Sequence, residues 1–228
     1  MGDEHPAAQH LDIKLNADEQ VSGLLLVPDE AKACLVLAHG AGAGMSHPFM
    51  ASIAAGLHER GIASLRYQFA YMEKGSRRPD GPALAHAAVR AAVHEANLRC
   101  LDLPLFAGGK SFGGRMTSQA QADAPLANVR GVAFLAFPLH PANKPSIVRA
   151  RHLFDVRISM LFLQGQRDAL ADPGLMTQVT EELGAGATLV WFPDADHSFH
   201  VPVRSGRTDE QVRSCILDGL VEWMTARL

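Results

Sequence analysis

Gly108-Gly109-Lys110-Ser111-Phe112-Gly113-Gly114 directly follows the apolar run Leu103-Pro104-Leu105-Phe106-Ala107 and opens a segment, Phe112 to Ala122, that can be helical. A serine in the setting Gly109-x-Ser111-x-Gly113, between a strand and a helix, reads as a nucleophile elbow. The turn is so tight that its neighbours must be nearly free of side chain. The hydroxyl then stands clear of the sheet, and the next backbone N–H points at the reacting oxygen. Gly109-Lys110-Ser111 also resembles the end of a phosphate-binding loop, but that loop needs glycine at position 104. Pro104 stands there, without an N–H to join an anion cradle.

Outward from this stretch, apolar runs alternate with helical patterns. Strands are expected at 11–15, 21–27, 34–38, 62–67, 103–107, 131–137, 159–164 and 187–192. Helices are expected near 48–59, 83–99, 112–122, 146–153, 173–183 and 209–227. The first two strands, joined by the polar turn Asn16 to Gln20, read as a hairpin. From the third strand onward the β-α-β-α order favours a mostly parallel sheet with helices on both faces, the α/β class. Asp172-Pro173 reads as an N-cap followed by proline in the first turn, with Gly184 as the stop. Thr208-Asp209-Glu210-Gln211 is a capping box. After it Val212, Cys215, Ile216, Gly219, Leu220, Trp223 and Met224 recur on one face. The alanines between 83 and 92 make the second long helix smooth enough for close packing on the sheet.

The 228 residues suit one domain, 1–228, with a sizeable core. Hydrophobic residues are 47%, charged residues 20% and the net charge −3, the profile of a globular chain. No basic stripe points to nucleic acid, and no apolar run reaches the roughly 20 residues of a membrane span. The N-terminus lacks the apolar region of a secretory signal, and the three scattered cysteines, Cys34, Cys100 and Cys215, read as reduced structural thiols. A cytoplasmic location is the expectation. No partner protein is legible.

A serine needs a base, and the base needs an orienting group. The strand Met160 to Leu163 runs into Gln164-Gly165-Gln166-Arg167-Asp168, which places an acid just past a strand end. Asp168 is the favoured orienter; Asp172 is the alternative, with helix capping as its competing job. The last strand leads into Pro193-Asp194-Ala195-Asp196-His197, and this placement singles out His197 as base from 11 histidines. Asp194 and Asp196 read as loop residues. His197-x-x-His200 has the spacing of a metal pair, but no third ligand accompanies it, so neither metal nor cofactor is expected. Strand 34–38 ends in His39-Gly40-Ala41-Gly42-Ala43-Gly44, whose small residues let backbone N–H groups approach a tetrahedral oxygen. Ala41 and Phe112 are the expected donors. The dinucleotide fingerprint fails here, since Met45 occupies the third glycine position.

His39-Gly40-Ala41-Gly42, the elbow, Gly165-Gln166-Arg167-Asp168 and Asp196-His197 together resemble the α/β-hydrolase superfamily, from about residue 20 to the end. The resemblance is nearest the small, lidless dienelactone-hydrolase-like proteins. Tyr71-Met72-Glu73-Lys74-Gly75 and Pro138-Leu139-His140-Pro141 are similar to a branch with testis-expressed and chromatin-complex members. It implies an α/β-hydrolase fold of about eight strands, with the site at the C-terminal sheet edge and no lid domain. It also implies a serine hydrolase acting on small or accessible acyl esters. Serine stands where true dienelactone hydrolases carry cysteine. Two readings of other classes stay open: a non-catalytic binding or scaffold module on the same fold, and thioester, amide or peptide cleavage by the same residues. Substrate contacts are expected from Tyr71, Met72 and His140. The loop 68–82, with Phe69, Lys74, Arg77 and Arg78, reads equally as a cleft lining or an exposed connection.

Overall fold

The computed structural model describes residues 8–228. Eight strands form one sheet: β1 Gln9–Lys14, β2 Gln20–Leu26, β3 Ala33–Ala38, β4 Ile62–Tyr67, β5 Leu105–Lys110, β6 Val129–Leu135, β7 Ser159–Gly165 and β8 Ala187–Phe192. Six helices accompany them: α1 Pro48–His58, α2 Ala70–Glu73, α3 Pro82–Arg99, α4 Phe112–Asp123, α5 Pro173–Leu183 and α6 Asp209–Thr225. The strand order is β1-β2-β4-β3-β5-β6-β7-β8. The β1–β2 hairpin and the β2–β4 pair are antiparallel, and every pair from β4 to β8 is parallel.

Central strands read as unbroken apolar runs because both faces are covered. In β3, Ala33, Leu35 and Leu37 point into one core, while Cys34, Val36 and Ala38 point into the other. In β7, Leu161 and Leu163 face the first core and Met160 and Phe162 the second. The first core is closed by α1 and α6 through Met50, Ile53, Leu57, Val212, Ile216 and Trp223. The second is closed by α3, α4 and α5, with Ala85, Ala88, Ala92 and Ala96 fully buried along α3. Trp191, on edge strand β8, packs against this second core. No helix among the described residues is long and apolar enough to cross a membrane.

Both caps fold as read: Asp172 accepts the Leu175 N–H at 3.0 Å, and both halves of the Thr208–Gln211 box form. Three expectations are corrected. The fifth strand ends at Lys110, not Ala107, because Gly108 and Gly109 continue the ladder against Ala133 and Phe134. The segment around 146–153 is a 3₁₀ helix, Val148–Asp155. Its buried residues, Ala150 and Leu153, are three apart, which matches a three-residue turn. Cys215 is exposed on α6, and Leu217 is buried there instead, seated against Gly56 of α1.

Candidate active site

Ser111 joins β5 to α4 with φ 50° and ψ −114°. This is a left-handed turn that an L-residue adopts only when its surroundings enforce it. The Ser111 N–H donates to the Leu135 carbonyl at 3.0 Å, and the Ser111 carbonyl accepts from Arg115 at 3.1 Å. A Cβ on Gly109 would stand 2.4 Å from the Ala38 oxygen, and one on Gly113 would stand 2.5 Å from the His39 oxygen. Two consecutive carbonyls, at the end of β3 and just after it, thus press on the turn, which accounts for both glycines.

Three loops at the C-terminal sheet edge then converge. His197, after β8, brings Nε2 to 2.8 Å from the Ser111 Oγ and Nδ1 to 2.7 Å from Asp168 Oδ2. Asp168 follows β7, and its side chain is wholly buried. Its Oδ2 also accepts from Gln164 Nε2 at 2.6 Å, and its Oδ1 accepts the Leu170 N–H at 2.8 Å. Every approach to this carboxylate is therefore a donor. A neutral imidazole with its proton on Nδ1, held by Asp168, presents a bare Nε2 to the hydroxyl. That geometry can accept a proton from Ser111.

The loop after β3 is shaped from beneath. The Phe69 N–H donates to His39 Nε2 at 3.1 Å, so His39 Nδ1 carries the proton and donates to the Gly40 carbonyl at 2.8 Å. The Gly42 N–H donates to the Tyr71 hydroxyl at 3.0 Å, and Met45 N–H donates to Gln68 Oε1 at 2.8 Å. Ala41 N–H and Phe112 N–H meet no acceptor among the described residues. A cleft of about 460 Å³ opens above Ser111, walled by Ala41, Phe49, Met50, Lys110, Leu170 and His197. Clefts of about 470 and 500 Å³ elsewhere touch none of Ser111, Asp168 and His197.

The family of alpha/beta hydrolase domains matches residues 31–225, nearly the whole described chain. The chain belongs to the α/β hydrolase family. Among solved structures, a dienelactone hydrolase from Anabaena variabilis is 20% identical, covering 99% of this chain and 100% of its own, with a TM-score of 0.80. A serine hydrolase without lid from Xanthomonas campestris is 21% identical over 96% of this chain and 95% of its own, TM-score 0.72. An α/β serine hydrolase homologue from Coxiella burnetii is 17% identical over 94% and 98%, TM-score 0.74. At these identities the likeness is one of fold, that of lidless, dienelactone-hydrolase-like proteins.

In this α/β hydrolase, the residues expected to touch substrate lie elsewhere. Tyr71 is buried; its hydroxyl is spent on Gly42 and its ring meets Phe112 edge-on. Met72 packs beneath Gly44. His140 is buried too: its Nε2 accepts the Asp172 N–H at 2.7 Å, and Nδ1 donates to the Pro141 carbonyl at 2.9 Å. With both ring nitrogens occupied, His140 fastens the loop that carries Asp168 rather than facing the cleft. The 68–82 connection likewise stays outside: Phe69 is buried, and Lys74 pairs with Glu19 at 2.6 Å. Asp196 turns its own loop, accepting the N–H groups of Ser198 and His200. His200 faces Asp209, whose hydrogen bond holds the imidazole above its ordinary range. Both nitrogens of His197 are engaged, so it offers none to a metal shared with His200.

Sequence reasoning missed Gln164, Lys110 and Leu170. Gln164 carried a signal, as the lone polar residue at the end of an apolar strand, four before the acid. Leu170 carried none, because its place in the cleft depends on the His140 N–H bond to its carbonyl at 2.9 Å.

Proposed function

We propose that the chain is a serine hydrolase of carboxylic esters with small or accessible acyl groups. The observation that carries this reading is the unbroken chain Ser111 Oγ, His197 Nε2, His197 Nδ1, Asp168 Oδ2, with contacts of 2.8 and 2.7 Å. Ser111 Oγ attacks the carbonyl carbon and its proton passes to His197 Nε2. Asp168 keeps the ring oriented and balances the imidazolium. The oxyanion meets the N–H groups of Ala41 and Phe112, fixed donors that are not reorganised during the step. Collapse expels the alcohol, which takes the proton from Nε2, and water repeats the sequence on the acyl-serine. The cleft of about 460 Å³ above Ser111 supports compact acyl groups over long chains.

A fluorophosphonate probe tests the chemistry directly. Ser111 is expected to be labelled, and a panel of short acyl esters and thioesters to be turned over. Ser111→Ala should lose the label and on the order of 10³-fold or more of the rate. Labelling and turnover that persist in Ser111→Ala would remove the mechanism. A wild-type protein inert to probe and to every ester, thioester and amide would favour a binding or scaffold role.

A further inference from the structure

Lys110 lies immediately before Ser111, at the end of β5, and the steps described above do not use it. Its stem passes Gly40 at contact range, since a Cβ there would stand 3.5 Å from the Lys110 Cγ. Its Nζ reaches across to the loop after β8 and donates to the main-chain carbonyl of His197 at 2.5 Å. Two aromatic faces flank the ammonium. The Phe199 ring centroid is 5.6 Å away and that of Phe49 6.0 Å. The two rings are nearly parallel, 8° apart in plane with centroids at 6.1 Å. One side chain thus ties three pieces of the site together: the elbow, the loop that carries the imidazole, and the first turn of α1.

The tether acts where the site is least supported. Asp168 is fixed by three donors, and Ser111 by a bond to β6 through its N–H and one from α4 to its carbonyl. His197 sits in a turn-rich loop, with its side chain 26% exposed. The backbone around it is bent: Asp194 and Phe199 both hold positive φ, 61° and 63°. A shift of about 1 Å in a positioned group is enough to cost roughly 10²-fold in rate.

We propose that Lys110 is a positioning residue for His197, its ammonium holding the loop so that the imidazole stays in line between Ser111 and Asp168. This rests on the hydrolase reading above.

The charge on Lys110 matters to the hold, because charged donors make stronger hydrogen bonds and only a cation is drawn to an aromatic face. Burial pushes the ammonium down to about 8, against the opposing pull of Asp168 and Asp196. The other ionisable groups around it are His197 from its own loop and His47 at the cap of α1, which shares the cleft wall. Beyond the stacked rings lie Asp209 and Arg213 of α6. Above about pH 8 the lysine becomes neutral and the hold weakens. The rate should therefore fall on the alkaline side instead of reaching a plateau.

Lys110→Met keeps the stem and removes the charge. The expected result is a kcat lower by on the order of 10- to 100-fold, KM within about threefold, and no alkaline fall near pH 8. Lys110→Arg, which restores a cation, should recover part of the loss. Proton NMR in water adds a readout independent of turnover. The low-field Nδ1 proton shared by His197 and Asp168 should be sharp in wild type at pH 7, broadened in Lys110→Met, and broadened in wild type above pH 8. An unchanged resonance in Lys110→Met, or a wild-type rate flat to pH 10, would overturn the inference. So would a loss confined to KM. If the wild type labels at Ser111 and Lys110→Met labels just as fast, only this inference fails. A wild type that never labels sinks the hydrolase reading, and the resonance still decides the role of Lys110.

Discussion

At the level of single residues, Ser111→Ala is a clean test because it removes only the hydroxyl, and alanine holds a positive φ elsewhere in this chain. Ala136, at the end of the neighbouring strand, holds φ 57°. The variant should fold, and circular dichroism should match the wild type while turnover is lost. Asp168→Asn asks a different question. An amide can place an NH₂ where Oδ2 now accepts from both His197 and Gln164, which favours the tautomer with its proton on Nε2. The rate should then fall on the order of 10²- to 10⁴-fold, with the fold intact by thermal melting. A near-wild-type rate would separate Asp168 from the chemistry. That Ser111, Asp168 and His197 would come together was legible in the sequence because each follows a strand end that could be read. Tyr71 and His140 were misread for a physical reason: a polar aromatic in a loop looks the same whether it meets solvent, ligand or a backbone N–H. For Tyr71 the packing on Phe112 decides it, and for His140 the bonds to the Asp172 N–H and the Pro141 carbonyl do.

Among elements, the strands were legible wherever apolar residues filled both faces, as in β3 and β7. They were less so where glycines carry the ladder, and β5 therefore extends three residues past its expected end. The extension has a consequence for the site, since it makes Ser111 follow directly on a paired strand. Caps were legible because their chemistry is local. Asp172 shows how a cap and a candidate acid can be told apart: its Oδ1 serves Leu175 while its N–H is held by His140. Asp172→Asn should keep stability and rate, because asparagine also caps. Asp172→Ala should lose about 1 kcal/mol in urea unfolding. A large loss of rate in Asp172→Asn, with stability unchanged, would move the acid from Asp168 to Asp172.

Across the whole molecule, the buried His39 and the partly buried His152 set a limit on the acid side. Burial and then the nearby Arg115 push His152 down to about 4, and burial also lowers His39. Both ionise more readily in the unfolded chain, near ~6.5, than in the folded one. The unfolded state therefore binds more protons below that value. Stability should be complete above about pH 6.5 and decline as pH falls toward about 4. Urea midpoints at pH 7.5 and 5 should show the drop, and His152→Gln should reduce it. An equal drop in that variant would place the acid sensitivity elsewhere. His39 gives the decline a direction, because a proton on its Nε2 would displace the Phe69 N–H and unfasten the loop beneath Ala41.

The sheet separates two apolar interiors, and each holds one of the chain's two tryptophans, Trp191 on the α3–α5 side and Trp223 on the α1–α6 side. His152 meets Phe137 and His39 meets Phe69, both on the Trp191 side. The protein thus contains a natural pair of optical probes, one in each compartment. Single-tryptophan variants would emit from one side at a time. Emission from Trp191 that reddens before that of Trp223 during acidification would reveal a half-melted species. Coincident curves would mean that the two interiors, although they share only a layer of backbone, let go as one.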